Sequence, residues 1–443
     1  ANLHLAATMS SGVLDPTSPA YKKARKQYLA STKSRDKAIE HDWTPFRVAE
    51  KRFRARFPPP DLSDVLDLAL LNETRSREVQ DGRWKGTALS GYREVPSISP
   101  SADVAAYALT DHHPGRRESS SPRLLLQSSK LGLVILPGFL SPEKQRQLIR
   151  WCLADHSKHP NPTNLDVHYA IPEEGLWSLC RRRDNGESLH VQPLRAGDTE
   201  TMPEEVGPRQ LINNTAVSAA NFEDLATAQK LPAAPSANAR ETTPEALLPK
   251  LRWANLGWFY HWGTKQYDFS RVTSKIDRLL ADECRRAVCS VDWDQVYDLE
   301  AGLDWGEEEA GWKTWADDYE PDAGIVNFYQ TKDTLMAHVD RSEVCATSPL
   351  VSISLGNAAI FLIGGHTRDS EPVPILLRSG DAVIMSGPVC RRAYHGVPRI
   401  LENTLPAHLG PADDTEWTAF ANYMQTTRVN INVRQVFPRG FKP

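Results

Sequence analysis

The sequence predicts an α+β protein whose C-terminal part is a β-sandwich or jelly roll. From Gly324 onward, short apolar runs alternate with turns such as Gly364-Gly365 and Ser379-Gly380-Asp381, with little sign of helix. Many short strands of this kind are the pattern of a sandwich or jelly roll. In Arg428-Val429-Asn430-Ile431-Asn432-Val433-Arg434 the polar residues are all even-numbered and the apolar ones all odd, which is a strand with one apolar face. Before Gly324 helical signals appear as well. Ser141-Pro142-Glu143 offers serine as an N-cap and proline at the first helical position, and Arg271 to Val288 is amphipathic.

At 443 residues the chain has room for two or three domains, and 40% hydrophobic content supports a sizeable core. No apolar run approaches the length of a membrane helix, so no membrane association is expected. The six cysteines, at 152, 180, 284, 289, 345 and 390, form no Cys-x-x-Cys pair. Scattered thiols of this kind suit a reducing compartment, and the expected location is nucleus or cytoplasm, with the mitochondrion left open. The first twenty residues hold no Lys or Arg, and neither a secretory nor a typical transit signal is expected there.

The net charge of −4 hides an asymmetry: residues 1 to 57 contain 12 Lys/Arg against 5 Asp/Glu. Residues 19 to 40 read as a basic helix, and Phe46 to Phe57 as a second basic, amphipathic segment stopped by Pro58-Pro59-Pro60. A basic stripe with interleaved aromatics suits a phosphate backbone; a solvated face or a localisation signal fits equally. Asp61 to Leu71 is expected to form a short helix and Leu131 to Leu136 a strand. The resulting division is a basic, partly helical N-terminal extension over 1–130 and one domain over 131–443. Residues 181–248, rich in Ala, Thr, Asn, Pro and Glu and without a period, read as a flexible insertion. Residues 298–320 read as an acidic insertion that keeps the surface soluble. Leu251 to Tyr267 is dense in aromatics, the groups that hold an unstacked base, although Trp253 and Trp262 are expected to be core residues of a strand pair.

His338 and Asp340 stand two apart on a predicted strand, so both side chains share one face. A His-x-Asp pair with one distant histidine is the set that leaves three cis positions open on Fe(II). Among 13 histidines the His-x-Asp spacing occurs once, and His395 is the natural third ligand. The polar face of 428–434 carries two arginines, costly to bury unless something anionic sits there. A guanidinium fork fits a carboxylate bidentately, and iron beside a dicarboxylate pocket suggests 2-oxoglutarate.

These stretches resemble the AlkB-type Fe(II)/2-oxoglutarate dioxygenases, most closely their AlkB homologue-one branch. The resemblance is carried by Asn327-Phe328-Tyr329, His338 to Glu343, Pro349 to Ser354, Ala359 to Gly365, Ser379-Gly380-Asp381, Ile384 to Gly387, His395 to Arg399 and Arg428 to Val436, in that order. It runs strongly over residues 250–437, with weaker echoes at 45–70 and 131–177. The resemblance implies a double-stranded β-helix with helices packed outside it. It implies iron on His338, Asp340 and His395, and 2-oxoglutarate held by Asn327, Tyr329, Arg428, Asn430 and Arg434. Arg428 with Tyr329 and Asn430 would take the distal carboxylate, and Arg434 with Asn327 the end that chelates the metal. Gly257 to Trp262 is similar to the family's nucleotide-recognition segment, which makes Tyr260 the candidate base contact. Arg341 and Ser342 are candidates beside it, Ser342 standing where some members have a base-contacting aspartate. Tyr394 and Arg341 are expected to line the site next to the ligands.

The implied reaction consumes 2-oxoglutarate and O₂ on Fe(II), releases succinate and CO₂, and removes a methyl group from a base as formaldehyde. The expected substrate is N-methyladenine in DNA or tRNA. The alternatives are a protein-directed enzyme of the same cofactor class, acting on a lysine or histone tail, and a catalytically inactive nucleic-acid binder. No oligomeric state follows from the sequence.

Overall fold

The structure, a computed structural model, describes residues 43–96, 105–110, 132–195, 216–297 and 311–441, interrupted briefly at 76–77, 80–81, 83, 229, 231–232, 272–273, 413 and 439. Before residue 43 and between 298 and 310 it describes isolated positions alone. The expected basic helix over 19–40 and most of the acidic stretch therefore lie outside the described residues.

Fourteen strands are described. They are β1 (Tyr92–Val95), β2 (Ala106–Leu109), β3 (Leu133–Leu136), β4 (Trp253–Gly257), β5 (Phe259–His261), β6 (Gln266–Asp268), β7 (Ala323–Gln330), β8 (Leu335–His338), β9 (Leu350–Gly356), β10 (Ala359–Ile363), β11 (Val373–Leu377), β12 (Ala382–Met385), β13 (His395–Ile400) and β14 (Thr427–Arg434). They form a large sheet in the order β1-β2-β3-β12-β9-β14-β7-β4, a small sheet in the order β11-β10-β13-β8, and the hairpin β5-β6. From β7 the chain alternates between the two sheets: β7, β9, β12 and β14 belong to the large one, and β8, β10-β11 and β13 to the small one. This back-and-forth is the double-stranded β-helix. Every pairing between these strands is antiparallel.

Period-two alternation sorts the side chains into layers. On β12, Val383 and Met385 face the space between the sheets, and Ala382 and Ile384 the outer face of the large sheet. On β10, Phe361 and Ile363 point inward while Ile360 and Leu362 meet a helix outside. On β14, Val429, Ile431 and Val433 are fully buried in the outer layer, and the arginines and asparagines take the inner face.

Five helices matter here: α1 (Pro45–Arg54), α2 (Pro142–Arg150), α3 (Gly175–Asp184), α4 (Arg278–Cys289) and α5 (Thr415–Met424). The expected cap of α2 forms, Ser141 Oγ accepting from the Lys144 amide at 3.2 Å. The amphipathic stretch at 271–288 becomes α4, capped by Asp277, whose carboxylate accepts from the Leu279 amide at 2.8 Å. Helix α5 is an addition to the expected β-rich half. Its signal is Trp417, Phe420, Ala421 and Met424, at the spacing of one helix face and all buried in the outer layer.

The expected boundary at 130/131 does not hold. β1 and β2 extend the large sheet through β3, and the Leu66 amide donates to the Pro374 carbonyl while its own carbonyl accepts from Leu376. These sheet-edge hydrogen bonds also explain why Asp61–Leu71 is not a helix; one 3-10 turn forms at Leu68–Leu71. The basic segment from Phe46 is likewise part of the domain: α1 buries Phe46 and Phe53 against Ile360 and Leu362 of the small sheet. Gly364 makes room for it, since a Cβ there would lie 2.8 Å from the Phe46 ring. Truncating a fully buried phenylalanine costs about 3–5 kcal/mol. Phe46→Ala should therefore lower stability by about that amount in denaturant unfolding.

Within 181–248, expected to be a flexible insertion, the described residues make specific contacts with one another and with the rest of the fold. Val191 and Thr242 exchange backbone hydrogen bonds, and Phe222 packs edge-on against Phe437 and Phe441. The partners lie far away in sequence, so the segment's own composition did not betray the burial. In 311–320, Trp315 and Tyr319 are buried, so this end of the acidic stretch carries core residues. No helix among the described residues is long and apolar enough to cross a membrane.

Candidate active site

β8 and β13 are antiparallel neighbours in the register His338 opposite His395, which sets the two imidazoles side by side with centroids 4.4 Å apart. Asp340 follows β8 by two residues, with Oδ1 3.7 Å from His338 Nε2. Ligand atoms of His338, Asp340 and His395 all lie within 4.8 Å of one another, and no other such group of three or more His, Cys, Asp or Glu occurs among the described residues. His338 Nδ1–H donates to the Met336 carbonyl at 3.0 Å and His395 Nδ1–H to the Ala393 carbonyl at 3.1 Å. A carbonyl only accepts, so each ring carries its proton on Nδ1 and offers the Nε2 lone pair to a metal. Burial, with His338 beside it, pushes His395 down to about 4, so it is neutral. Asp340 is ionised: burial works against its charge, but the neighbouring Arg434 guanidinium outweighs it and holds the carboxyl below the usual range.

β14 runs between β7 and β9 in the large sheet, with Arg428 opposite Tyr329 and Asn430 opposite Asn327. Arg434, on the same face, donates from Nη1 to Asp340 Oδ2 at 3.1 Å and to Glu343 Oε1 at 2.5 Å. Glu343 is fully buried and also faces Arg391 Nη2 at 3.6 Å. The two carboxylates and two guanidiniums of this network balance. Arg428 has no such balance. It is 2% exposed, its Nη2 donates to Ser354 Oγ at 3.0 Å, and its Nε and Nη1 have no partner. Burial pushes its pKa down to about 10. Asn430 is anchored by Nδ2, which donates to Ser352 Oγ at 2.8 Å. One cavity of about 600 Å³ joins both halves, lined by His338, Asp340, His395, Asn327, Tyr329, Arg428, Asn430 and Arg434.

Residues 209–434 match the model of the 2OG-Fe(II) oxygenase superfamily. The chain belongs to the 2OG-Fe(II) oxygenase superfamily. Within it, the similarity along most of its length is to the AlkB homologue 1 branch. It is 29% identical to the tRNA demethylase abh1 of Schizosaccharomyces pombe over 89% of this chain and 96% of that protein. It is 28% identical to the DNA N(6)-methyladenine demethylase ALKBH1A of Arabidopsis thaliana over 89% and 97%. With the nucleic acid dioxygenase ALKBH1 of Mus musculus it shares 29% identity over 70% of this chain, spanning 65% of the mouse protein.

A 2OG-Fe(II) oxygenase uses Fe(II), 2-oxoglutarate and O₂, and the donor set fits. Two imidazoles presenting Nε2 and a carboxylate suit a metal with open positions. The buried Arg428, which lies over the Tyr329 ring at 5.7 Å and has no ion-pair partner among the described residues, suits an anionic carboxylate. In this 2OG-Fe(II) oxygenase Arg434 faces the carboxylates of Asp340 and Glu343, so its hydrogen bonds hold the aspartate in place rather than standing open.

On the substrate side Tyr260, Arg341, Ser342 and Tyr394 all line the cavity. Ser342 Oγ donates to the Lys265 carbonyl at 2.9 Å, tying the β5-β6 hairpin to the segment that carries Asp340. Trp262 is not a core residue: it stacks on Trp253 at 5.0 Å, lies 40% exposed and reaches the cavity. β4 is the outer named strand of the large sheet, and beyond it the described residues add only a short antiparallel bridge at Thr163. Reading the sequence gave no role to Glu343, Arg391, Ser352 or Ser354. The two serines carried a signal, alternate polar positions within an apolar strand; Arg391 carried none. His366 and His408 bond to the Val389 carbonyl and to Gln145, and neither joins the triad.

Proposed function

We propose that this oxygenase demethylates nucleic acid, with N-methyladenine in DNA or tRNA as its substrate. The observation that carries the reading is a single cavity holding the His338, Asp340 and His395 triad, the unpaired Arg428 and an aromatic wall formed by Tyr260 and the exposed ring of Trp262. The relatives' names, a tRNA demethylase and a DNA N(6)-methyladenine demethylase, support the substrate class. His338, Asp340 and His395 hold Fe(II). Arg428, with Tyr329 and Asn430, holds the distal carboxylate of 2-oxoglutarate, and Asn327 lies toward the metal end. Arg434 fixes the orientation of Asp340. When bound, Fe(II), 2-oxoglutarate and O₂ supply the oxidant that hydroxylates an N-methyl group, whose product releases formaldehyde. Tyr260 and Trp262 offer ring faces to an unstacked base, with Arg341 and Ser342 at the same wall. A reducing compartment, nucleus or cytoplasm, suits the six free thiols.

The test is turnover on methyladenine-bearing DNA, single-stranded and duplex, and on methylated tRNA, with His338→Ala as control. Formaldehyde, succinate and nucleosides are followed by mass spectrometry. Loss of methyl from a nucleic acid, absent in the control, is the expected result. Turnover on histone-type peptides and on no nucleic acid would replace the substrate class. Deleting residues 1–57 is a poor probe of the basic N-terminus, because it also removes the buried Phe46, Glu50 and Phe53.

A further inference from the structure

β8, which ends in His338, is the outer strand of the small sheet and only four residues long. On its inner side it meets β13 across a register shift at Gly396. A Cβ on Gly396 would lie 2.9 Å from the Leu335 carbonyl, so the two backbones approach closely there. Among the described residues no strand lies on its outer side. A bare strand edge leaves backbone groups without partners, yet here two side chains take the neighbour's place. The Ala337 amide donates to Glu50 Oε1 at 2.7 Å, and the Ala337 carbonyl accepts from Arg368 Nη2 at 2.9 Å. Glu50 lies on α1, is 5% exposed, and its other oxygen accepts from Arg47 Nη1 at 2.9 Å. The Phe46 amide, at the start of α1, donates to the Arg368 carbonyl at 3.1 Å, which joins the two clasps. Ala337 is the residue before His338, the most exposed of the three ligands.

We propose that Glu50 is a positioning residue for the metal: it acts as a surrogate strand that holds the edge of β8, and so fixes where His338 presents Nε2. α1 is then a working part of the metal site although none of its side chains reaches the triad. The inference rests on His338 being a metal ligand. Groups hydrogen-bonded directly to a metal-ligating histidine set affinity by about 10- to 100-fold; Glu50 acts one link further out, through the backbone of Ala337, so an effect at the lower end of that range is expected.

The test is a titration of the metal-free full chain with Co(II), read from its visible absorption, without 2-oxoglutarate or substrate. Wild type should bind and His338→Ala should not. Glu50→Ala should bind about 10-fold more weakly. Glu50→Gln keeps an oxygen acceptor of the same reach and should restore wild-type affinity. Phe53→Leu, on the same helix, should lower thermal stability and leave Co(II) affinity unchanged. Wild-type affinity in Glu50→Ala, or an equal loss in Phe53→Leu, would overturn the role of Glu50. Should Glu50→Ala fail to fold, Glu50→Asp withdraws the carboxylate by one methylene; weak binding is expected, and wild-type binding there would overturn the role as well. Binding by His338→Ala equal to wild type would instead remove the metal site on which the inference rests.

Discussion

Arg428→Met should abolish turnover and 2-oxoglutarate binding while making the cofactor-free protein more stable. Arg428 is a charge buried in the inner face of β14 with two N–H donors unpaired and no carboxylate beside it. An unsatisfied buried donor costs about 1–3 kcal/mol, and more when charged. Methionine fills a similar stem volume without that cost, so unfolding of the metal-free, cosubstrate-free protein should require about 1–3 kcal/mol more. Ser354 loses a donor in the exchange. Binding moves the other way, because the hydrogen bonds Arg428 would make to a carboxylate are charge-assisted and roughly twice as strong as neutral ones. Opposite signs in the two experiments would mark a residue kept for a ligand rather than for the fold. Destabilisation of the cofactor-free protein by Arg428→Met would refute that assignment.

Arg434→Met should do the reverse to stability. Arg434 sits on the same strand face six residues on, but it is clasped by Asp340 and Glu343. Removing it leaves the fully buried Glu343 facing Arg391 alone at 3.6 Å and leaves Asp340 without its closest cation. Breaking a buried pair by removing one partner costs about 3–5 kcal/mol, and Arg434→Met should lose that much in denaturant unfolding along with activity. The pH dependence has a definite sign. Asp340 in the folded chain is held below the ordinary carboxylate range, so its stabilising contribution is present above the unfolded-state pKa and disappears as acid titrates the folded form. The gap between wild type and Arg434→Met is thus widest near neutrality and narrows in acid. A constant gap would mean that packing, not charge, is what Arg434 contributes.

Much of the site is local in sequence and was legible for that reason. The i, i+2 spacing of Asn327 with Tyr329 and the alternation of 428–434 are consequences of strand geometry; Asp340 lies just past the end of β8 rather than on it, but its closeness in sequence to His338 still made the pair legible. The structure places all of them on one cavity. What alternation cannot reveal is which charge answers which. Arg428 and Arg434 read alike on paper, and Glu343 and Arg391, which separate their roles, arrive from other segments. Glu50 reaches Ala337 across 287 positions of sequence, and nothing in the basic, amphipathic pattern of α1 singles out its one buried carboxylate. The misplaced domain boundary has the same origin. β1 and β2 are short, and their pairing with β3 crosses a long stretch of Ser, Pro and charge that looks like a break. Trp262 was misjudged because membership of the core depends on sheet order, and the edge position of β4 is not written in β4 itself.

The measurement closest to the central claim is an anaerobic calorimetric titration of 2-oxoglutarate into the Fe(II)-loaded chain, with Arg428→Met and His395→Ala beside wild type. Wild type should bind one equivalent. Arg428→Met should bind at least about 100-fold more weakly, the loss of about 3 kcal/mol of charge-assisted hydrogen bonding, and His395→Ala should fail to retain the metal. Equal 2-oxoglutarate affinity in wild type and Arg428→Met would contradict the claim that the cavity between the two sheets is a cosubstrate site built around that arginine.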